Sequence, residues 1–327
     1  MPSSLTQKVL DRARALGFDA VGIASAGDLD EDDEALSRWL AEGRHGGMGY
    51  MARDPRRRSR PRALLPGAQS VIVLAVNYAQ ERPSDPGRVT APPAGRAGRR
   101  APSMGRVSRY AWGGDYHDLI EARLSQLEVF IREASGAQTD CRSYVDHGPV
   151  LEKAFARQAG IGFIGKNTLL ITEEFGSWVF LSVILTTLAL EPGPARTSEC
   201  GSCRLCLDAC PTGALVAPYH LDANRCISYL TIENKVEIPD ALIPKLNGWV
   251  FGCDICQEVC PYNARSKPTA VEEFRPDHGA GPWLDLEKVL ALKSDEEFRA
   301  AFRDTPLLRP KRAGLQRNAK ALMPFTA

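Results

Sequence analysis

Clustered cysteines are the feature of this 327-residue sequence that points most directly to chemistry. The first run is Cys200-x2-Cys203-x2-Cys206-x3-Cys210-Pro211, which has the spacing of bacterial ferredoxins. Its first three thiolates can wrap one face of a [4Fe–4S] cube, while the fourth points away and ligates a second cluster. The run therefore predicts a bacterial-type ferredoxin domain with two clusters.

A second run, Cys253-x2-Cys256-x3-Cys260-Pro261, repeats the first except that Val250 stands where the leading cysteine would be. Cys226 lies between the runs and is the natural substitute for the missing ligand. With crossed ligation, one cluster is predicted on Cys200, Cys203, Cys206 and Cys260, and the other on Cys210, Cys226, Cys253 and Cys256. The crossing makes the domain pseudo-two-fold and places the clusters close enough for electron transfer.

Other interpretations of the cysteines fit the spacing less well. Zinc sites usually pair two C-x2-C hairpins and rarely show C-x2-C-x2-C-x3-C-P. A radical-SAM site needs C-x3-C-x2-C, which does not occur. Cys141 lies in an apolar segment far along the chain from both runs, which favours a buried structural thiol over a ligand or nucleophile.

Residues 160–167 resemble two nucleotide-binding motifs. Gly160-Ile-Gly162-Phe-Ile-Gly165 matches G-x-G-x-x-G, and Gly165-Lys166-Asn167 nearly completes a P-loop. Both motifs must follow a strand and open a helix, whereas residues 151–159 before them have a helical pattern. Asn167 also replaces the Ser or Thr that would hold Mg²⁺. The sequence therefore predicts a loop whose backbone approaches some ligand closely, and not an NAD or ATP site.

Alternating helix and strand signals over residues 1–195 indicate an α/β domain. Helical spacing covers 5–16 and 117–133, and Pro149 is predicted to start a helix that runs to residue 159. Strands are predicted at 19–24, 70–78 and 141–145, with a long strand or strand pair at 177–190. Residues 83–103 have the composition of a mobile surface loop. Helical patterning returns at 284–292, 295–302 and 311–323.

These patterns divide the chain into three predicted domains: an α/β catalytic domain at 1–195, a ferredoxin-like domain at 196–265 and a short helical region at 266–327. No apolar stretch reaches the roughly 20 residues of a membrane helix. The N-terminus is typical of an amphipathic helix rather than a signal peptide. We therefore expect a cytoplasmic protein without a membrane partner, a monomer whose thiols stay reduced and free for metal.

Arginine-rich runs stand out in a chain whose net charge is only +1. They occupy residues 53–62, the positions Arg96, Arg99, Arg100, Arg106 and Arg109, and residues 309–320. Any one run is typical of a solvated face. Three runs together favour a polyanionic partner such as a nucleic acid, because phosphate contacts come mainly from Arg and Lys.

A ferredoxin alone needs far fewer residues, so the α/β domain is expected to hold a second cofactor or a substrate. Four longer motifs indicate which cofactor and substrate these are, because the motifs resemble those of epoxyqueuosine reductase. They are RYAWGGDYH at 109–117, YVDHGPVLE at 144–152, CISYLTIE at 226–233 and GCDICQ at 252–257. The resemblance runs from about residue 5 to residue 323.

The resemblance implies an oxidoreductase that depends on cobalamin and iron–sulfur clusters and is similar in its core to reductive dehalogenases. Such enzymes remove the epoxide oxygen of epoxyqueuosine at the wobble position of tRNA, the last step of queuosine synthesis. The implied partners are tRNA, through its anticodon loop, and an external low-potential electron donor. The implied cobalamin is base-off, with no lower ligand from the protein. Some family members continue into helical repeats, so a smaller tRNA surface is expected here.

Site residues follow from the same motifs. Asp146 matches the family's proton donor; from the sequence alone, it would cap the helix predicted near Pro149. Lys235 matches a position implicated in tRNA contact, whereas His117 and His147 are expected to be structural or to support the catalytic residues. Contacts to cobalamin are implied for Arg58, Asp146, Asn167, Leu170, Ser228, Cys253 and Asp254.

Two other functions remain open at this stage. One is a cobalamin-dependent reductive dehalogenase or related small-molecule reductase, which would usually bring an export signal or a membrane partner. The other is an electron carrier that passes electrons to a separate enzyme.

Overall fold

The computed structural model describes residues 4–81, 103–136, 138–195 and 198–323. The surface loop predicted at 83–103 lies outside these ranges apart from Ser103, as do Arg96, Arg99 and Arg100. Within the described ranges, no helix has both the length and the apolar character needed to cross a membrane.

The N-terminal part of the chain alternates helices and strands, as the sequence predicts. Its elements are α1 (Ser4–Ala15), β1 (Ala20–Ser25), α2 (Asp30–Ala41), α3 (Gly49–Ala52), α4 (Pro61–Leu64), β2 (Ser70–Asn77), β3 (Met104–Val107), α5 (Tyr116–Ser135), β4 (Cys141–Tyr144), α6 (Glu152–Gln158), β5 (Gly162–Ile164), β6 (Leu170–Thr172) and β7 (Val179–Thr186).

The main sheet has the strand order β1-β2-β7-β4, and every neighbouring pair is antiparallel. β2 is buried at all of its positions because helices cover both faces of the sheet. Ile72 and Leu74 point to the face covered by α1 and α5, whereas Val71 and Val73 point to the face covered by α6. Burial on both faces explains why β2 reads as a continuous apolar run.

Elements of the C-terminal part are shorter and surround the cysteines. They are α7 (Leu205–Ala209), β8 (Leu215–Ala217), β9 (His220–Leu221), α8 (Ile227–Ile232), β10 (Trp249–Phe251), α9 (Ile255–Glu258), β11 (Trp283–Asp285), α10 (Leu286–Ala291), α11 (Asp295–Ala301) and α12 (Lys311–Leu322). The short helices α7 and α9 contain Cys206 and Cys256, respectively, and pack against each other.

A second sheet joins the three segments that the sequence predicts as separate domains. Its order is β10-β3-β11, so the central strand comes from the first segment and its neighbours come from the other two. Val107, Phe251 and Leu284 contribute to one core that α8, α10 and α12 also line. The ferredoxin-like part and the helical end are therefore anchored on the α/β part by shared hydrogen bonds and shared core.

Most of the predicted elements are confirmed, and two are wrong in extent. The helix predicted from Pro149 begins at Glu152, because residues 145–150 form a series of bends. The apolar stretch at 177–190 forms the single strand β7, which ends at Thr186.

Gly22 in β1 allows the backbone at the end of α6 to approach the strand closely. A Cβ at this position would lie 2.3 Å from the carbonyl oxygen of Ala159 at the end of α6. Gly22→Ala should therefore lower the free energy of unfolding by about 1–3 kcal/mol, the usual cost of overpacking. Gly27→Ala is the control, because its nearest neighbour would be the Ser25 hydroxyl at 3.7 Å. Chemical denaturation of both variants measures the effect, and equal stabilities would contradict it.

Candidate active site

Three cysteines of the first run and one of the second line a single cavity of about 40 Å³: Cys200, Cys203, Cys206 and Cys260. Burial raises the pKa of Cys206, with Cys200 and Cys260 adding to the rise. The pKa of Cys260 is likewise raised by burial and then by Cys200 and Cys203. This is the set that the crossed-ligation pattern assigns to one cluster.

The other four cysteines form a second, more deeply buried group. Burial raises the pKa of Cys256 well above its usual value, and Cys253, Cys226 and Cys210 add to the rise. Burial also raises the pKa of Cys226, with a further contribution from Cys210. The thiol of Cys226 lies against the backbone N–H groups that open α8, including that of Ser228. Cys226 thus lies beside the run whose leading cysteine is missing.

The thiols in these groups suit cubane clusters. All eight are free cysteines, and each group brings four of them together. In the described part of the chain, no three His, Cys, Asp or Glu side chains approach closely enough to hold a single metal ion. In a cubane cluster each thiolate binds a different iron atom, so four ligands need not converge on one point.

The glycine-rich loop contacts both cysteine groups. The Lys166 ammonium donates to the carbonyl oxygens of Gly201 at 2.5 Å and Cys203 at 2.9 Å. Its backbone N–H donates to the Cys200 thiol at 3.4 Å. Asn167 is buried and its amide reaches the Cys256 carbonyl oxygen at 3.5 Å. The loop is the turn of the β5–β6 hairpin, which explains why it does not open a helix.

Asp254 connects the second cysteine group to the α/β part. Its carboxylate is 1% exposed and accepts hydrogen bonds from the Ser108 hydroxyl and, at 2.8 Å, from the Arg109 backbone N–H. Burial raises its pKa to about 6 despite these donors. Because the side chain is satisfied inside the protein, any contact of Asp254 to a cofactor must come from its backbone.

Asp146 lies in the bends between β4 and α6, where it adopts a left-handed backbone conformation with φ of 52°. Its side chain is 56% exposed, and Oδ2 accepts a hydrogen bond from the Tyr116 hydroxyl. Tyr116 is itself buried and stacks on Phe180 with ring centroids 3.9 Å apart. The helix α6 has Leu151 as its N-cap, so Asp146 does not cap it. The buried Tyr116 therefore holds the Asp146 carboxyl group in place while that group stays accessible to solvent.

Polar atoms without a partner surround Asp146. They are Arg58 Nε, His117 Nε2 and Glu152 Oε1, all buried and without a hydrogen bond to any described residue. His117 Nε2 lies 4.0 Å from Asp146 Oδ2, and Glu152 is close enough for the charge of Asp146 to raise its pKa. Buried polar atoms normally have partners, so this ring of donors and acceptors suits a polar ligand such as the amide-bearing rim of a corrin.

Two tyrosines, Tyr78 and Tyr110, lie close to Asp254. Burial raises the pKa of Tyr110 well above its usual value, and the charges of Asp146 and Asp254 add to the rise. Burial likewise raises the pKa of Tyr78, with contributions from Asp254 and Cys256. Tyr110 therefore lies near both aspartates.

The remaining predicted cofactor contacts differ in how accessible they are. Leu170 is 2% exposed and belongs to the core under α6, so its side chain packs inside the protein. Ser228 is half-buried in the first turn of α8, next to Cys226. The backbone carbonyl of Arg58 accepts a hydrogen bond from the Leu151 N–H at 3.0 Å, which places Arg58 beside the Asp146 bends. The assignments to cobalamin stay predictions.

Lys235 is exposed on a loop that the last helix holds in place. Arg317 from α12 donates to the carbonyl oxygens of Leu230 at 2.7 Å, Asn234 at 2.8 Å and Val236 at 2.8 Å. Val236 is 71% exposed, which is unusual for a large apolar side chain. The tip of this loop is therefore a rigid, accessible surface.

Many arginines of the predicted polyanion-binding runs have partners within the protein. The Arg109 guanidinium is buried and lies 4.3 Å from the Trp178 ring centroid. Arg309 pairs with Glu233 at 2.8 Å, and Arg312 pairs with Asp295 at 2.8 Å. Arg109 serves packing, so it is not a phosphate contact of the kind that its run suggests.

Several residues at the site were missed by reasoning from the sequence. Tyr116, which holds Asp146, lies in the RYAWGGDYH motif but looks like an ordinary core aromatic. Glu152 follows Asp146 by six positions and looks like the first turn of a helix. Lys166 looks like part of a P-loop. Only the fold brings these side chains to their partners.

Two family models match the chain. The model described as "4Fe-4S double cluster binding domain" matches residues 199–263, which contain all eight cysteines of the two groups. The model described as "Epoxyqueuosine reductase QueG, DUF1730" matches residues 58–147, from Arg58 to just past Asp146. The first match confirms that the ferredoxin-like part is of the double-cluster type.

Curated relatives match over nearly the whole chain. Epoxyqueuosine reductase from Gloeobacter violaceus is 44% identical over 97% of this chain and 95% of its own length. The enzyme of the same name from Pseudomonas aeruginosa is 46% identical over 97% of this chain and 83% of its own length.

Solved structures agree with this match. An epoxyqueuosine reductase solved with an epoxyqueuosine-modified tRNA-Tyr stem loop superposes with a TM-score of 0.86 at 34% identity, covering 98% of this chain and 81% of that one. The enzyme from Bacillus subtilis, solved with its catalytic aspartate loop swung out of the active site, gives 0.85 at 33% identity, covering 98% and 82%. The predicted fold class is confirmed, and the chain belongs to the epoxyqueuosine reductase family.

Proposed function

We propose that this protein reduces epoxyqueuosine to queuosine at the wobble position of tRNA, with Asp146 as the proton donor. The observation that carries the proposal is the relative bound to an epoxyqueuosine-modified stem loop, whose fold this chain shares over 98% of its length. Two [4Fe–4S] clusters and base-off cobalamin are the cofactors, and an external low-potential donor supplies the electrons. The curated relatives do not favour a dehalogenase-like reductase or a simple electron carrier.

The chemistry requires an acid at the position of Asp146. Opening an epoxide leaves an alkoxide, which is a poor leaving group until it is protonated. Asp146 is accessible, and the Tyr116 hydroxyl fixes the direction of its carboxyl group. Burial and the adjacent charge of Asp146 raise the pKa of Tyr116, so Tyr116 stays a hydrogen-bond donor and does not compete as a base.

In this arrangement the cysteines would hold the clusters, and residues near Asp146 would hold the cobalamin. The eight cysteines hold the two clusters in the crossed arrangement described above, and the second group lies nearest to Asp254. Arg58 and Glu152 present unpartnered polar atoms on the Asp146 side, where they would hold the corrin rim. Cobalamin, when bound, supplies a low-potential cobalt centre next to the substrate.

A surface suited to an anticodon loop leads to this site. Arg309 pairs with Glu233 and contacts Tyr50, which is 40% exposed. Arg58 donates to the Tyr50 carbonyl oxygen at 3.0 Å. We call Lys235, Arg309, Tyr50 and Arg58 the Tyr50 surface. It combines positive charge with an accessible aromatic ring, the combination that proteins use to bind unstacked RNA bases.

Lys235→Ala should weaken the binding of the stem loop several-fold and reduce the slope of log affinity against log salt by about one, because one phosphate contact is lost. Lys245→Ala is the matched control, since Lys245 is also exposed but lies outside the Tyr50 surface. Fluorescence anisotropy over a range of salt concentrations measures both variants. Equal slopes for wild type and Lys235→Ala would remove Lys235 from the interface.

The proposed function is tested by a comparison of substrates. The protein is purified anaerobically, loaded with iron, sulfide and cobalamin, and given a low-potential reductant. The substrates are a stem loop with epoxyqueuosine, the free epoxyqueuosine nucleoside and a halogenated phenol. We expect queuosine to form fastest in the stem loop. Faster reduction of the phenol would support the small-molecule alternative, and no turnover with full cofactor loading would support the electron carrier.

A further inference from the structure

The stoichiometry of the proposed reaction requires more protons than Asp146 holds. Converting the epoxide to an alkene breaks two C–O bonds, forms one C=C bond and releases the oxygen as water. The balance consumes two electrons, taken one at a time from the low-potential donor, and two protons. A single carboxylic acid supplies one proton at a time, so Asp146 must be reloaded within each turnover, either from solvent or from a neighbouring group.

His117 is placed to do this. It lies in the first turn of α5, where its Nδ1 and the Asp115 carboxylate are 2.6 Å apart. This contact directs the other ring nitrogen, Nε2, toward Asp146 Oδ2 at 4.0 Å. Nε2 is buried and has no hydrogen-bond partner among the described residues. One bridging water or a small shift of either side chain would connect the two groups.

The charges around His117 favour its protonated form. Burial alone would lower its pKa, but the hydrogen bond and charge of Asp115 outweigh burial, and the charges of Asp146 and Glu121 add to the rise. His147, from the Asp146 bends, stacks on its ring with centroids 4.2 Å apart. The net result is a pKa above the usual value of about 6.5.

We propose that His117 delivers the second proton of each turnover by reprotonating Asp146, and that Asp115 orients the His117 ring for this transfer. Asp146 gives its own proton to the leaving oxygen, takes one from His117 Nε2 and delivers that proton as well. His117 recovers its proton from solvent between turnovers. His117 does not touch the substrate, so it is a positioning and proton-supplying residue. The inference rests on the proposed function.

Glu152 is the other acid near Asp146. Burial raises its pKa to about 8, so its carboxyl group is also protonated near neutral pH. Its Oε1 has no hydrogen-bond partner among the described residues, whereas Asp115 holds the His117 ring. We therefore assign the relay to His117, and the Glu152→Gln variant tests the choice.

The experiment is a pH profile of single-turnover rates in the fully loaded protein. Wild-type rates should fall as the pH rises through the pKa of His117, because neutral His117 has no proton to give. Asp115→Asn keeps a good helix cap and an acceptor for Nδ1 but removes the charge. It should move the fall to lower pH by about one unit while the acid plateau is retained. His117→Gln should lower the plateau by roughly 10²-fold and abolish the fall.

A structural role would lower the rate by the same factor at every pH, so an unmoved fall in Asp115→Asn overturns the proposal. If the pH at which the rate falls changes in Glu152→Gln but not in Asp115→Asn, the relay belongs to Glu152. This result also overturns the proposal. His220→Gln, an exposed position on β9, is the control for loss of a histidine. Absence of wild-type turnover would instead refute the proposed function.

A readout independent of activity uses the histidine ring signals of the same protein in NMR. The chain has five histidines, so the signal missing in His117→Gln identifies His117. We expect it to titrate above the usual range in wild type and lower in Asp115→Asn. A His117 signal with an ordinary pKa that Asp115→Asn leaves unchanged would overturn the proposal.

Discussion

Asp146→Asn is expected to lower the rate of queuosine formation by about 10²–10⁴-fold, the usual contribution of a general acid. The asparagine keeps the size of the side chain and still accepts a hydrogen bond from Tyr116, but it has no acidic proton. Asp146 does not cap α6, so the substitution should leave the stability of the fold nearly unchanged. Single-turnover rates, the amount of bound corrinoid and the unfolding midpoint are measured on the same preparation.

Asp140→Asn is the matched control, because Asp140 is an exposed aspartate just before β4. It should turn over like wild type. If Asp146→Asn keeps its rate, Asp146 is not the acid. If it loses cobalamin, the lower rate reports binding and not proton transfer, and the assignment of the acid fails.

Pairs of cysteine substitutions should separate the two clusters. The loaded protein is expected to hold about eight iron atoms, four in each cluster. Cys206→Ala with Cys260→Ala removes two ligands of one cluster and should leave about four iron atoms. Cys226→Ala with Cys260→Ala removes one ligand from each cluster and should leave almost none. Alanine is used because a serine oxygen can still bind iron.

Iron and sulfide analysis with Mössbauer spectroscopy measures the outcome. Cys141→Ala is the control and should keep about eight iron atoms, because Cys141 lies in β4 beside Thr186 and away from both groups. The crossed assignment is contradicted if the variant that lacks Cys206 and Cys260 holds almost no iron and about four iron atoms remain in the variant that lacks Cys226 and Cys260. In that case both cysteines would belong to one cluster.

The cysteine pattern could be predicted from the sequence because seven of the eight ligands lie in two short runs. The same holds for elements with a strong local period, such as α5, whose apolar positions repeat at helical spacing. These features depend on neighbours within a few residues. Local patterns are therefore sufficient for them.

Contacts between distant segments could not be predicted in this way. The sheet β10-β3-β11 joins strands from three parts of the chain, and nothing in the sequence of β3 specifies its partners. Arg109 lies in a basic run, yet it stacks on Trp178 and contacts Glu258 at 3.8 Å. His117 looks like a structural residue until the fold places it beside Asp146.

The central claim is that a corrinoid in the N-terminal half of the chain receives electrons from the two clusters. The most direct test measures queuosine in an epoxyqueuosine stem loop after incubation with anaerobic, cluster-loaded protein, with and without cobalamin. The account predicts that queuosine forms only in the sample with cobalamin. Equal amounts of queuosine in the two samples would contradict it.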